Sequence, residues 1–372
     1  MIQLDGSVGE GGGQILRTAL ALSVLLQKPF TITNIRKNRP EPGLKNQHLY
    51  CIKALQQLYN TDVEGAFVGS ESLKFIPGKQ TSQNIKIDIE TAGSITLVLQ
   101  SLFLPCLFTE TIRNSKGISG VQKNSENFSR KTKKIEIIGG TDVSWSPQID
   151  YFKEIILPIY SKYAEKIELN IEKRGYYPKG NGKITLKIKP KYTLETINQS
   201  KPLNLIEQGK LLQIKGISHA SRDLQSAEVA ERQSKAAKQA LAVLGVPINI
   251  QSSYSETLST GSGITLWAIF SDEKTEIGYK DQIRLGSDIL GEKGKPAEVV
   301  GKEAALNLLG EIKEKAPVDR YLADNLIPLL ALTKGEIKIS KITEHTKTNI
   351  YTVEQFLGKI FKIEGNIIET LA

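Results

Sequence analysis

Apolar positions along the chain switch between helical and strand spacing in a recurring order. Residues 14–26 carry apolar side chains at helical spacing, and the alternating stretch 30–35 indicates a strand. A polar loop at 36–44 then precedes a second predicted helix at about 47–59 and a strand at 73–76. Together these elements form one unit in the order helix, strand, polar loop, helix, strand.

The same order occurs twice more. The second copy has a helix from 94, a strand at 134–138, a loop at 139–147, a helix at about 151–163 and a strand at 167–171. The third has a helix from 319, a strand at 336–340, a loop at 343–349, a helix at 350–357 and a strand at 361–363. We therefore predict three copies of one α+β unit of roughly 70–90 residues.

Residues 190–290 do not follow this order. They contain strand patterns at 211–214, 248–250 and 264–270 and an amphipathic helix at 226–244. The expected fold class is α+β, with three repeated βαβαββ-like units in a large core domain and a smaller inserted α/β domain. Residues 1–189 would hold the first two units, 190–290 the insertion, and 291–372 the third unit.

Charge and cysteine content narrow the functional classes. The chain of 372 residues has 49 Lys and Arg against 40 Asp and Glu, a net charge of +9 that suits a polyanionic partner. The basic segment 113–134 indicates a solvated surface loop, with contact to a phosphate backbone as the alternative. Cys51 and Cys106 lie in apolar helical patterns, which favours two buried free thiols.

The start of the chain does not resemble a signal peptide, because Asp5 and Glu10 interrupt it. No apolar run is long enough to span a bilayer. We therefore expect a cytoplasmic protein without a membrane partner, and leave homo-oligomerisation open.

The most distinctive stretch is the glycine-rich start, where five glycines precede the first helix. Glycine allows close backbone approach to a ligand, and the free N–H groups of a helix start attract anions. Glu10 could hold a hard cation, while Gln14 and Arg17 share one helix face. The stretch is neither a Walker A loop nor a dinucleotide fingerprint. A tight strand-to-helix turn with a capping Glu10 is the alternative.

The chain has three histidines, and none has the spacing of a metal ligand pair. His219 is interpreted as structural. His48 follows Arg36 and Arg39 and could touch a phosphate, although helix capping explains it equally well. His345 lies in the predicted polar loop 343–349, where a neutral imidazole would be a competent nucleophile. An incidental histidine in a capping loop is the alternative for His345.

Seven segments in order resemble the RNA 3′-terminal phosphate cyclase family, over essentially the whole chain. They are residues 5–17 (DGSVGEGGGQILR), 35–48 (IRKNRPEPGLKNQH), 93–100 (GSITLVLQ), 139–142 (GGTD), 174–182 (RGYYPKGNG), 321–324 (YLAD) and 344–349 (EHTKTN). The resemblance implies the predicted architecture of three repeated units and one insertion. It also implies ATP-dependent conversion of an RNA 3′-phosphate to a 2′,3′-cyclic phosphate.

By this resemblance, His345 takes AMP from ATP, AMP passes to the RNA 3′-phosphate, and the 2′-OH displaces it. A divalent metal, Mg²⁺ or Mn²⁺, is implied, with Glu10 as its candidate ligand. The implied ATP site comprises Gln100, Tyr321, Leu322, Ala323, Asp324, Asn325, Glu10, Gln14 and Arg17. The implied site for the RNA phosphate comprises Arg36, Arg39, Gln47 and His48.

Two other functions are weighed against this one. The first is a non-catalytic relative, like the cyclase-like proteins of ribosome assembly, which lack the nucleophile. The second is an enolpyruvyl-transferase-like enzyme, which also repeats an α+β unit but needs no histidine nucleophile. The presence of His345 favours the ATP-dependent cyclase.

Overall fold

The computed structural model describes residues 1–109, 131–271 and 282–371 as a mixed α+β protein. Within these ranges the strands form four mixed sheets of four strands each. The predicted mixed α+β class is therefore confirmed.

Three of these sheets, which we call the core sheets, share one pairing pattern. In each, an edge strand pairs parallel with the second strand, and the next two pairings are antiparallel. In spatial order the sheets consist of Ile2–Asp5, Phe30–Thr33, Leu73–Ile76 and Asp62–Glu64; of Asn84–Asp88, Lys133–Gly139, Gly182–Pro190 and Ala164–Lys173; and of Leu203–Leu205, Gly335–Lys338, Ile367–Thr370 and Phe361–Glu364.

Each core sheet is accompanied by two helical segments. The α-helices are Gln14–Leu26, Asn46–Leu58, Ile95–Phe108, Arg320–Thr333 and Glu344–Leu357. The remaining segment runs through Ile149–Tyr151, a π-helical stretch Phe152–Ile156, Leu157–Tyr160 and a 3₁₀ turn Ser161–Tyr163. Ile95–Phe108 is apolar on almost every side because it packs against both Gln14–Leu26 and Asn46–Leu58.

The fourth sheet, which we call the inserted sheet, has its own hydrophobic core. Its strands are Ile248–Ser255, Lys210–Ser221, Ser262–Ser271 and Ile283–Leu290, and helices Val229–Leu241 and Ala297–Lys313 pack on it. Strand Leu203–Leu205 pairs instead with Gly335–Lys338 of the third core sheet. We therefore propose that the inserted unit spans about residues 206–316, shifted from the expected 190–290.

Many predicted elements agree closely with the structure, including Gln14–Leu26 and Leu73–Ile76. The loop predicted at 343–349 is wrong, because Glu344–Leu357 is one helix. Thr343 is its N-cap and accepts a hydrogen bond from the Thr346 N–H at 3.0 Å. Short polar side chains that indicate a loop can equally cap a helix start, and His345 therefore belongs to a first helical turn.

The basic segment 113–134 lies mostly outside the described residues. Its end contradicts the predicted solvated loop, because Lys133 is fully buried on a core strand. The Lys133 Nζ donates to the carbonyls of Cys106 and Thr109 at 2.9 and 3.0 Å, and burial lowers the pKa of Lys133 to about 8. Cys51 and Cys106 are both buried free thiols, as predicted. Within the described ranges, no helix has the length and apolar character needed to cross a membrane.

Candidate active site

A cavity of about 1120 Å³ opens among the first turns of five core helices. One residue from each of these turns illustrates the arrangement: Gln14, Gln47, Leu97, Tyr321 and His345 all line the cavity. A helix start carries unpaired N–H groups and the positive end of the helix dipole. Ser94, Asp319 and Thr343 already accept from N–H groups at three of these starts. The helix dipoles and the remaining N–H groups still create an environment that favours phosphate groups.

His345, Glu10 and Arg39 form a charged cluster on the cavity wall. The His345 Nε2 lies 3.5 Å from Glu10 Oε2, and Arg39 Nη2 donates to the same oxygen at 3.0 Å. Gln14 Nε2 donates to the His345 carbonyl at 3.1 Å, which fixes the backbone of the first helical turn. With 42% of its side chain exposed, the His345 ring is open to a ligand.

The protonation state of His345 suits a nucleophile. Burial lowers the pKa of His345 below the ordinary value, Arg17 and Arg39 lower it further, and Glu10 opposes them. An unperturbed histidine has a pKa of about 6.5, so the lowered pKa leaves the imidazole neutral at pH 7. The ring therefore keeps a free lone pair without any activating base.

A chain of hydrogen bonds connects four predicted nucleotide-site residues that line the cavity, three through their side chains and Tyr321 through its carbonyl. Arg17 Nε donates to Gln100 Oε1 at 3.0 Å, and Gln100 Nε2 donates to Asn325 Oδ1 at 3.0 Å. Asn325 Nδ2 in turn donates to the Tyr321 carbonyl at 2.9 Å. The three side chains come from three different helices, so each fixes the position of the next.

Asp324 orients the helix that carries His345. Its Oδ1 accepts from the hydroxyls of Thr343 and Thr346 at 3.1 and 2.8 Å, at the start of that helix. Burial raises the pKa of Asp324 to about 7. Asn349 adds a second link, because its Oδ1 accepts from Thr18 at 2.8 Å and its Nδ2 donates to the Asp324 carbonyl at 2.5 Å. Asp324 thus links its own helix to the helix that carries His345, and it also lines the cavity.

Arg36 and His48 are both held by their own loops. Arg36 Nη1 donates to the carbonyls of Glu41 and Gly43 at 2.6 and 3.0 Å. His48 is buried, and its Nδ1 accepts from the Lys45 N–H at 3.0 Å as part of a helix cap. Burial, helped by nearby cations, lowers the pKa of His48 to about 3. A neutral, capping His48 matches the alternative interpretation, although its ring also borders the cavity.

All the predicted site residues except Leu322 and Ala323 line this one cavity. Leu322 and Ala323 have no exposed side-chain surface and belong to the hydrophobic core, so the structure does not bring their side chains to the cavity. The cavity lining also contains residues that the sequence analysis did not predict, among them Trp145, Pro147, Asp288 and Lys295. Trp145 and Pro147 follow the 139–142 motif, which was the one available signal, whereas Asp288 and Lys295 had none.

Two places in the structure are candidate metal sites, the buried group Asp142, Asp150 and His219 and the carboxylate of Glu10. Asp142, Asp150 and His219 place ligand atoms within 4.8 Å of one another. The guanidinium of Arg174 already bonds to Asp142 Oδ2 and Asp150 Oδ2 at 3.1 and 2.6 Å, so this buried group has a cationic partner without a metal ion. Glu10 also pairs with Arg39, but it fits better because its carboxylate is 41% exposed and lines the cavity, where phosphate oxygens would complete the coordination.

Comparisons with known proteins identify one family over almost the whole chain. A family model described as "RNA 3′-terminal phosphate cyclase" matches residues 8–363. A Pyrococcus furiosus protein of that description is 46% identical over 369 residues, which cover 99% of this chain and 97% of the relative. A Thermococcus kodakarensis protein is 44% identical over 98% of this chain and 95% of its own length. An Archaeoglobus fulgidus protein is 40% identical over 99% of both chains.

Proposed function

The chain belongs to the RNA 3′-terminal phosphate cyclase family and is an enzyme with that activity, and we propose that it uses ATP through a covalent His345–AMP intermediate. The observation that carries this proposal is the position of His345, a neutral and exposed imidazole where five helix starts surround a cavity. A nucleophile in that position can meet the α-phosphate while the helix starts stabilise the triphosphate.

Three displacement steps account for the reaction. The His345 imidazole attacks the α-phosphorus of ATP, a P–N bond forms, and diphosphate leaves. An oxygen of the RNA 3′-phosphate then attacks that phosphorus, which breaks the P–N bond and yields an RNA adenylate. The neighbouring 2′-oxygen finally attacks the 3′-phosphorus and releases AMP. Proximity favours the last step because nucleophile and phosphate share one ribose.

The other site residues would have separate roles in binding the substrates and in positioning His345. Arg17, Gln100, Asn325 and Tyr321 would hold the nucleotide, with Gln14 fixing the backbone at His345. Arg39 and Gln47 would meet phosphates of the RNA. A divalent ion at Glu10 would supply charge neutralisation of the triphosphate. Asp324 would act by positioning the His345 helix through Thr343 and Thr346.

We also propose that the three core sheets are copies of one βαβαββ unit, since all three share one pairing order. A cytoplasmic location and homo-oligomerisation stay predictions.

The proposal is tested by incubating the protein with ATP labelled in the α-phosphate and a divalent metal. We expect a labelled band on a denaturing gel that survives base and is lost in acid, as a phosphoramidate would be. A non-catalytic scaffold would give no labelled band under any metal, and that result would overturn the proposed mechanism.

Replacing Glu10 with alanine should slow formation of the covalent adenylate on the order of a hundredfold, because the triphosphate loses its metal contact. Since the Glu10 carboxylate raises the pKa of His345, the variant should also move the acid limb of the adenylation profile to lower pH. Rates are measured by label incorporation across metal concentration and pH.

Glu41→Gln is the matched control for Glu10, because it removes an exposed carboxylate that pairs with Lys45 outside the cavity. Its adenylation rate should equal that of the wild type. If Glu10→Ala forms the adenylate at the wild-type rate at every metal concentration, Glu10 is not a ligand of the metal ion.

Replacing Arg39 with alanine should weaken the use of a 3′-phosphorylated RNA more at low salt than at high salt. One lost phosphate contact makes the dependence of log affinity on log salt shallower by roughly 0.7 for a single strand. The measurement is apparent RNA affinity at several salt concentrations with ATP saturating.

Lys238→Ala is the control for Arg39, since Lys238 is exposed on the inserted unit and does not border the cavity. Its salt dependence should match the wild type. If the dependence of log affinity on log salt is unchanged in Arg39→Ala, Arg39 does not contact an RNA phosphate. It would then interact with ATP or with Glu10 alone.

A further inference from the structure

Trp145 is placed unusually for a tryptophan. It belongs to the cavity wall, yet 95% of its surface is exposed, more than for any other large apolar residue among those described. Its backbone has φ of +65°, in the left-handed region that residues with a bulky side chain rarely adopt. An exposed indole on a strained backbone gains nothing from the folded core, which points to a ligand.

The loop around Trp145 is anchored on both sides of the cavity. The Pro147 carbonyl accepts a hydrogen bond from the Thr96 hydroxyl at 2.8 Å, from the core helix Ile95–Phe108. The Gln148 N–H donates to Asp288 Oδ2 at 2.7 Å, on the inserted sheet. Ser146 Oγ closes the turn by donating to the Val143 carbonyl at 3.0 Å. The indole is therefore presented by a loop tied to both units.

We propose that Trp145 is a stacking platform for an unpaired nucleobase near the 3′ end of the RNA, at the mouth of the cavity. This inference rests on the proposed function. Bases stack on aromatic side chains whatever their sequence, which suits an enzyme that recognises an end.

The position of Trp145 favours RNA over the adenine of ATP. Tyr321, the other cavity aromatic that could stack on a base, is only 49% exposed and lies beside the nucleotide-site chain of Arg17, Gln100 and Asn325. A mononucleotide can be enclosed within the cavity, whereas a polynucleotide must continue out of it. At about 1120 Å³ the cavity exceeds the roughly 300–1,000 Å³ of a site for one small ligand. An almost fully exposed ring on its wall therefore lies where the emerging strand would pass.

The stacking contact is tested by combining a substitution of Trp145 with removal of single bases from the RNA. Wild type and Trp145→Ala are compared on a single-stranded RNA with a 3′-phosphate, and on the same RNA with an abasic residue at the last, second-last or third-last position. Losing one stacked base should raise the apparent KM for intact RNA by about tenfold in Trp145→Ala. On the RNA whose abasic residue removes the base that stacks on Trp145, the apparent KM of Trp145→Ala and that of the wild type should differ by less than twofold.

Fluorescence gives an independent measurement, because the chain has only two tryptophans. Trp267 is 5% exposed, so Trp267→Phe leaves the exposed Trp145 as the single indole reporter. Titration with 3′-phosphorylated RNA should quench its emission, and the abasic RNA that lacks the stacked base should quench it less.

The outcomes separate this inference from the proposed function. If Trp145→Ala raises the apparent KM equally for intact RNA and for all three abasic RNAs, the stacking contact is overturned. The proposed function would still stand, provided that the wild type cyclises the RNA. A raised KM for ATP in adenylate formation, or quenching by ATP without RNA, would assign the ring to the adenine instead. A change confined to self-association would assign it to a second copy of the chain. Absence of cyclisation by the wild type would overturn the function itself.

Discussion

Replacing His345 with alanine is expected to abolish both the covalent AMP adduct and the cyclisation of an RNA 3′-phosphate. The loss should be at least about a thousandfold, the scale of removing a nucleophile from a covalent mechanism. The reason is structural, because His345 carries the neutral exposed ring beside Glu10 at the helix starts. Adenylation is measured with labelled ATP and cyclisation by resistance of the RNA end to phosphatase.

Two further variants make the result specific. His345→Asn should fail equally, since an amide can hydrogen-bond but cannot attack phosphorus. Lys347→Ala should behave as wild type, because Lys347 is exposed on the same helical turn and pairs only with Glu344 at 2.7 Å among the described contacts.

An RNA that already carries its AMP should bypass the defect. Both His345 variants should still cyclise it, because attack by the 2′-oxygen needs no histidine nucleophile. If His345→Ala forms the adenylate at the wild-type rate, the proposed mechanism is wrong. The alternative of a non-catalytic scaffold protein would then be favoured.

The second large effect concerns stability. Arg174→Met should destabilise the fold by about 3–5 kcal/mol, the usual cost of breaking a buried ion pair from one side. Arg174 is 9% exposed and bonds to both Asp142 and Asp150, which are nearly fully buried. Burial disfavours its charge, but the two carboxylates outweigh burial and raise the pKa of Arg174. His219 cannot replace it, since burial holds the pKa of His219 well below its usual value.

Denaturant unfolding followed by circular dichroism measures this effect. Arg232→Met is the matched control, because the Arg232–Glu298 bridge at 2.7 Å is about half exposed and should contribute less than about 1 kcal/mol. Adding Asp142→Asn and Asp150→Asn to Arg174→Met should recover part of the loss. Equal midpoints for Arg174→Met and Arg232→Met would contradict a costly buried pair.

Local spacing in the sequence was enough to predict most core helices and many strands. Helix Gln14–Leu26 follows from its apolar residues at helical spacing, almost all of which are buried. Strand Leu73–Ile76 follows from alternation, because its buried and half-buried positions alternate. Strands Asp62–Glu64, Asn84–Asp88 and Leu203–Leu205 were not predicted. Helix Ala297–Lys313, which packs on the inserted sheet, was not predicted either. Elements that depend on a distant partner leave a weak local pattern.

The candidate site could be named from the sequence because its residues lie in compact motifs. The motifs contain Glu10, Arg17, Arg39, Gln100 and His345, and the fold brings all five to one cavity. A sequence motif does not show which atoms each of its side chains contacts. Asp324 bonds to Thr343 and Thr346, and His48 caps a helix, while both also line the cavity where the sequence analysis expects ligands.

By itself, the sequence predicted the mixed α+β class, and its motifs selected the glycine-rich start and His345 as candidates for phosphate binding and nucleophilic attack. Tertiary structure alone decided that Lys133 is buried, that His345 begins a helix and that the inserted unit supplies Asp288 and Lys295 to the cavity. The reason is the range of the contacts involved. Thr18 and Asn349, 331 residues apart, share a hydrogen bond that no local pattern encodes, because burial and hydrogen-bond partners depend on how distant segments pack.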